Sequence, residues 1–346
     1  MSDSETNMID ENPADESAVV ESSIDKNSDA EHSVGEHCVQ QTGMLPANSP
    51  VGDLMTPSGI VHDKNEVPVV VHSRACGPVA EMTFLQRALL FAELSMVSYN
   101  DEREATEAAK YVGFPDVTFF DHDGSQAYRF RNDYDCVIAC RGTEPNEWND
   151  IRADANVASV LAETAGKVHR GFKTEVDDLW PMLETALIGN EQPVWFCGHS
   201  LGAAMAMICA GRCFLSHIKS NPSALFTYGS PRVGDKRYIN FVKLDHYRFV
   251  NNNDIVTRAP PAWMGYRHSG TEVYIDRNGN IGHLNHLMKR RDRWHGFFTG
   301  LRRFRVDHFS DHPLHRYLGP ILEAARREQA ELRQGEAPVD ATELTG

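Results

Sequence analysis

The feature that most constrains the fold is a glycine-bounded pentapeptide, Gly198-His199-Ser200-Leu201-Gly202, set between two apolar runs of different length. Val194–Cys197 before it is short and continuously apolar, as expected of a strand buried on both faces. Leu201–Phe214 after it reads as a long apolar helix. A strand that becomes a helix within a few residues needs a tight turn, and glycines on both sides remove side chains that would collide there. A serine at the centre of such a turn is lifted off the backbone above a helix N-terminus. A hydroxyl held that way beside a base becomes a nucleophile, and the helix field favours the oxyanion formed in acyl transfer. The pentapeptide alone also fits a glycine-rich turn with an incidental serine; the strand and helix around it argue for the nucleophile elbow.

The surrounding chain repeats this alternation. Phe84, Ala88, Phe91 and Leu94 have helical spacing. Val117–Phe120 and Ala127–Arg131 read as strands, with Asp121-His122-Asp123-Gly124 as a hairpin turn between them. Cys136–Cys140 has the length and apolarity of a buried strand, and Phe172, Val176, Leu179, Leu183 and Leu187 mark one helix stripe. Leu225–Tyr228 and Arg248–Val250 complete the strand set. Strands alternating with helices predict an α/β class with a mostly parallel central sheet and helices on both faces.

The formal net charge of −15 is unevenly spread, because residues 1–75 hold 14 Asp/Glu against 3 Lys/Arg. The remainder is near neutral and offers no general basic surface for nucleic acid. Residues 1–75 also have almost no aromatics and too little apolar area to offset their ordering entropy. They are expected to form an acidic disordered tail that solubilises or docks. A folded domain is expected over 76–325, ordered from near Glu81, with a polar tail over 326–346. Cys38, Cys76, Cys136, Cys140, Cys197, Cys209 and Cys213 are odd in number, and several sit in apolar runs. That pattern predicts free thiols in a reducing compartment. The first thirty residues lack a basic segment followed by an apolar one, so the expected location is cytoplasmic. The longest apolar-rich stretch, Leu201–Leu215, is interrupted by Arg212 and too short to span a bilayer.

Further blocks point to a family. Cys140-Arg141-Gly142-Thr143, Val168-His169-Arg170-Gly171-Phe172, the elbow, Tyr228-Gly229-Ser230-Pro231-Arg232-Val233-Gly234, and Asn253-Asp254-Ile255-Val256 with Pro260-Pro261 follow one another in order. Tyr266-Arg267-His268-Ser269-Gly270 follows them. Together these resemble the class 3 lipases, the fungal-type group of the α/β-hydrolase superfamily, over roughly Glu81 to Leu322. The resemblance implies an α/β-hydrolase fold with a lid segment, and lipid ester hydrolysis through a triad without cofactor or metal. Triacylglycerol lipase and carboxylesterase are the leading activities. Phospholipase A1 activity and a non-catalytic hydrolase-like scaffold are the alternatives.

The resemblance makes Ser200 the nucleophile and Asp254 the acid, with Asp245 and Asp235 as rivals for the second role. The family's base lies in an Asp-His pair with a tyrosine five residues on, which Asp311-His312 and Tyr317 fit. His308 also follows an aspartate but has Pro313 at that spacing, and His315 precedes Tyr317 by two. The oxyanion donors implied are Leu201 and Thr143. His199 is read as structural packing.

Residues between Thr143 and Val168 correspond to the family's lid, with Trp148 and Ile151 facing the cleft; an ordinary connecting helix and strand also fit. Residues 277–316 interleave Lys289-Arg290-Arg291 and Arg302-Arg303-Phe304-Arg305 with Trp294, Phe297 and Phe298. That segment reads either as a patch for anionic headgroups or as a solvated helical face. The expected partners are a lipid or ester substrate and transient contact with a lipid surface, with the oligomeric state open.

Overall fold

The computed structural model describes residues 54, 59–62, 68–142, 158–216, 218, 221–282, 311–335 and 341–344. A hairpin of β1 (Gly59–His62) and β2 (Pro68–Val71) comes first. Helix α1 (Phe84–Val97) begins at a reciprocal cap: the Gln86 N–H donates to Thr83 Oγ1, and the Thr83 N–H donates to the Gln86 side chain. It is buried around nearly its whole circumference, whereas α2 (Glu102–Val112) buries only Ala105, Ala108, Ala109 and Val112. Strands β3 (Asp116–His122) and β4 (Ser125–Arg131) are joined by Asp123-Gly124, with φ of 50° and 89°. Those left-handed residues suit the twist of a two-residue hairpin turn.

The chain continues through β5 (Cys136–Cys140), β6 (Ser159–Leu161), β7 (Lys167–His169), α3 (Arg170–Ile188), β8 (Val194–His199) and α4 (Leu201–Cys213). Then come β9 (Pro222–Tyr228), β10 (Gly234–Asp235), α5 (Lys236–Phe241), β11 (His246–Asn251), β12 (Tyr266–Arg267), β13 (Thr271–Ile275) and α6 (His315–Arg333).

The main sheet runs β13-β11-β9-β8-β5-β4-β3. Strands β5, β8, β9, β11 and β13 pair parallel, and the β3–β4 hairpin adds an antiparallel edge. Alternation along β5 sends Val137 and Ala139 into a core with Phe91 of α1, Ala109 of α2 and Ile321 of α6. Cys136, Ile138 and Cys140 enter the opposite core with Leu179 of α3 and Ile208 of α4. Helices therefore cover both faces, as the buried strand runs require. The predicted stripe Phe172, Val176, Leu179, Leu183 and Leu187 is the buried face of α3. A second sheet, β12-β10-β7-β6, was not foreseen; strands of two or three residues leave no readable period.

Three expectations need correction. Order begins before Glu81: Leu54 and Val71 are buried in the core, and the Leu54 N–H donates to Gln329 Oε1 at 3.1 Å. Composition over 75 residues averaged out these few apolar anchors. The polar C-terminal tail also starts too early. Helix α6 runs to Arg333 and buries Glu328 and Gln329, polar residues whose partners are Thr83 and Leu54. Finally, Cys136, Cys140, Cys197, Cys209 and Cys213 are free and buried, but Cys76 is disulfide-bonded. It lies in the connection between β2 and α1, outside the apolar runs that shelter the other five thiols. The expectation that every cysteine is a free thiol is therefore corrected at Cys76.

Candidate active site

Ser200 joins β8 to α4 with φ 59° and ψ −125°, a left-handed strain that the packing around it enforces. Its N–H donates to the Tyr228 carbonyl at 3.0 Å. A Cβ at Gly198 would meet the Gly202 carbonyl at 2.5 Å, and one at Gly202 would run into the Cys140 carbonyl oxygen. Only glycine lets strand, turn and helix approach this closely.

Asp254 follows β11 at the carboxyl edge of the sheet, where its N–H donates to the Asn251 carbonyl at 2.9 Å. Its Oδ1 accepts the Val256 N–H at 2.9 Å, and its Oδ2 accepts His312 Nδ1–H at 2.8 Å. Tyr317 donates its hydroxyl to the same Oδ2. Burial, and then the Asp254 charge, push the Tyr317 phenol well above its ordinary pKa, so it stays a donor. His312 Nε2 lies 2.8 Å from Ser200 Oγ. A carboxylate can only accept, so Nδ1 carries the proton and Nε2 presents its lone pair to the serine hydroxyl. Ser200, Asp254 and His312 are each 1% exposed.

The loop that carries His312 is anchored beside Asp254. Asn251 Nδ2 donates to the Asp311 carbonyl, and Asn252 Nδ2 to Asp311 Oδ2, both at 3.0 Å. Gly229, at φ 62°, leaves room for the pair, since a Cβ there would lie 2.9 Å from both Asp254 Oδ2 and His312 Cε1.

His199, read from the sequence as structural packing, also holds the base. Its Nε2–H donates to the His312 carbonyl at 2.9 Å, its Nδ1 accepts the Tyr99 hydroxyl at 3.0 Å, and its ring stacks on His312 at 4.6 Å. Burial, and then the neighbouring His312, push its pKa down to about 3, so the ring is neutral near pH 7. Tyr99 also borders Gly142 at the end of β5, and Arg141 lies over its ring at 5.9 Å. His199 thus ties the base to the strand end that precedes Thr143. The one available signal was its position beside the nucleophile, which does not reveal a partner 113 residues away.

The rivals lie elsewhere. Asp235 caps α5 by accepting the Tyr238 N–H at 2.8 Å, Asp245 is exposed before β11, and His315 is exposed at the start of α6. Leu201 opens α4, so its N–H belongs to the first-turn donors that lack an intrahelical acceptor. Thr143, Trp148, Ile151, His308 and the basic 283–310 portion of the 277–316 segment lie outside the described residues.

A mostly parallel, helix-covered sheet with a hydrogen-bonded serine, histidine and aspartate at its carboxyl edge defines an α/β-hydrolase. Residues 137–264 match the family described as Lipase (class 3). Over that stretch the chain is similar to the class 3 lipases. It is similar to the lipase of Rhizomucor miehei, 34% identical over 32% of this chain and 34% of that protein. It is also similar to secreted mono- and diacylglycerol lipase 1 of Fusarium solani, 40% identical over 32% of this chain and 34% of that one. Toxin TseL of Vibrio cholerae is 29% identical over 45% of this chain and 30% of its own length. The match thus spans about a third of each of these relatives. A triacylglycerol lipase structure with a serine-protease triad superposes with a TM-score of 0.48 at 25% identity, covering 57% of this chain and 82% of that one.

Proposed function

We propose that the protein hydrolyses carboxylic ester bonds of lipids, as a triacylglycerol lipase or a carboxylesterase, through an acyl-enzyme on Ser200. The observation that carries this reading is the unbroken path from Ser200 Oγ to His312 Nε2 and from His312 Nδ1 to Asp254 Oδ2, 2.8 Å at each step. His312 takes the Ser200 proton as Oγ attacks the ester carbonyl, then gives it to the departing alcohol. Asp254 holds the tautomer and stabilises the imidazolium, and Tyr317 steadies Asp254. The Leu201 N–H, with Thr143, receives the oxyanion; losing one such donor costs roughly 3–4 kcal/mol of transition-state stabilisation. Water then repeats the sequence on the acyl-enzyme.

A fluorophosphonate probe tests the reading, with p-nitrophenyl esters from acetate to palmitate and a triglyceride emulsion beside it. Ser200-dependent labelling with long-chain or emulsion turnover is the expected result. Activity confined to short esters makes the protein an esterase, and release of fatty acid from phospholipid alone makes it a phospholipase. An unlabelled parent, or equal labelling of Ser200→Ala, overturns the hydrolase reading.

The position of His199 yields a further expectation. His199→Phe keeps a flat ring against His312 but loses both hydrogen bonds, so kcat on a soluble ester should fall about tenfold to a hundredfold with KM little changed. His199→Gln, able to donate to the His312 carbonyl and accept from Tyr99, should recover much of that loss. Equal rates for the Phe variant and the parent would remove the positioning role.

A further inference from the structure

Trp263 is 85% exposed, more than any other large apolar side chain among the described residues, and Met264 beside it is 39% exposed. All of Pro261–Gly265 is exposed. This tip is held rigidly rather than frayed. The Arg232 N–H donates to the Ala259 carbonyl at 2.7 Å, and its guanidinium to the Pro260 carbonyl at 2.9 Å. Arg267 donates to the Ala262 carbonyl at 2.7 Å and the Tyr266 carbonyl at 2.8 Å. Within the tip, the Met264 and Gly265 N–H groups close on Pro261 and Ala262 at 3.0 and 3.1 Å. Holding a tryptophan in water leaves a large apolar area unburied, which a second apolar phase would relieve.

The charge around the tip says which phase. From Ile255 to Thr271 the chain carries Arg258 and Arg267 and no acidic residue. Both arginines are exposed. Strand β12 at the base of the tip pairs with β10, which leads into α5 with exposed Lys236 and Arg237. Asp235, the acid between them, is engaged in capping α5. Cationic residues on the tip's own loop and on the paired strand–helix junction stand against the net charge of −15 for the whole chain. General electrostatics would repel this protein from an anionic surface, so attraction must come from a local patch.

The tip is also continuous with the site. It belongs to the loop that leaves Asp254, whose Oδ1 accepts the Val256 N–H and whose carbonyl accepts the Thr257 hydroxyl at 2.8 Å.

We propose that the Pro261–Gly265 tip docks the protein on a bilayer bearing anionic headgroups. Trp263 and Met264 enter the interface while the surrounding Arg and Lys side chains meet headgroup charge. This rests on the lipid-ester reading only in giving the docked site a substrate; the docking itself does not need turnover.

The test uses the full chain carrying Ser200→Ala, sedimented with phosphatidylcholine vesicles with and without phosphatidylglycerol. Binding should require the anionic lipid and weaken with salt. Trp263→Ser should lower the partition coefficient about tenfold or more, with Trp263→Phe retaining most of it. Lys236→Gln with Arg237→Gln should lower it about fivefold per charge at low salt. In the Ser200 background, Trp263→Ser should leave soluble-ester turnover and the thermal midpoint unchanged. Equal partitioning of the parent and Trp263→Ser, equal binding to neutral and anionic vesicles, or no binding at all would overturn the docking. So would a concentration-dependent oligomer, formed without lipid and lost in Trp263→Ser, since the tip would then be a contact between copies. An absence of Ser200-dependent fluorophosphonate labelling in the parent would sink the hydrolase reading and leave the vesicle result standing.

Discussion

Ser200→Ala is expected to reduce ester turnover by roughly 10⁴–10⁶-fold in kcat, with KM changed little and the fold intact. The serine Oγ makes no packing contact that a methyl group cannot replace, but it is the atom that must bond the acyl carbon. Asp254→Asn should cost about 10⁴-fold by a different route. An amide presented to Nδ1 can turn the imidazole to the tautomer that places a proton on Nε2, facing Ser200 Oγ. Nε2 would then have no lone pair for the serine proton. Tyr317→Phe should do much less, because it removes one of several bonds holding the Asp254 carboxylate. Initial rates on a soluble ester, with circular dichroism of each variant, check this ordering. A Tyr317→Phe loss as large as that of Asp254→Asn would mean that the tyrosine touches the chemistry.

Acid should destabilise the fold well before its carboxylates protonate. Burial pushes His199 and His246 down to about 3 from an ordinary 6.5. His246 is satisfied as a neutral ring between Thr227 Oγ1 at 2.7 Å and Ser269 Oγ at 2.6 Å. Above the ordinary value both folded and unfolded chains hold these rings neutral, and stability does not depend on them. As pH falls through 6.5 the unfolded chain takes up protons that the folded chain refuses, so stability is lost as pH falls. Each ring should cost about 2 kcal/mol between pH 6.5 and about pH 5. Buried His268, held well below its ordinary value, adds in the same sense. The Asp135 and Asp311 carboxyls, raised by burial, act oppositely where they begin to protonate. Urea titrations at the two pH values measure the loss, and His246→Gln should shrink it by about a quarter, since His199, His268 and His169, which burial holds at about 4, supply the rest. A flat stability profile over that range would contradict the neutral, buried assignment of both rings.

Local features were legible because their causes are local. The two-residue turn at Asp123-Gly124, the continuous runs of β5 and β8 and the stripe of α3 follow from steric limits and period alone. The short strands β6, β7, β10 and β12 escaped notice, since two or three residues carry no period. Leu54, Glu328 and Gln329 escaped for another reason. Each sits in a polar stretch and is buried only because a partner about 245 to 275 residues away covers it.

The elbow separates the two kinds of knowledge. The pentapeptide, with a strand before it and a helix after it, determined the backbone turn and the identity of the exposed hydroxyl, because glycine sterics act over five residues. Among 16 histidines the family resemblance pointed to His312, but only the tertiary structure brings its imidazole to that hydroxyl. His312 lies 112 residues from Ser200 and 58 from Asp254, and no periodicity spans such gaps. The meeting depends on the order in which the parallel strands lie side by side and on where Asp311 and Tyr317 fasten the returning chain. The same packing turned His199 from a neighbour in the motif into a neutral contact of the base. It also left Trp263 in water, on a loop that carries exposed Arg258 and Arg267.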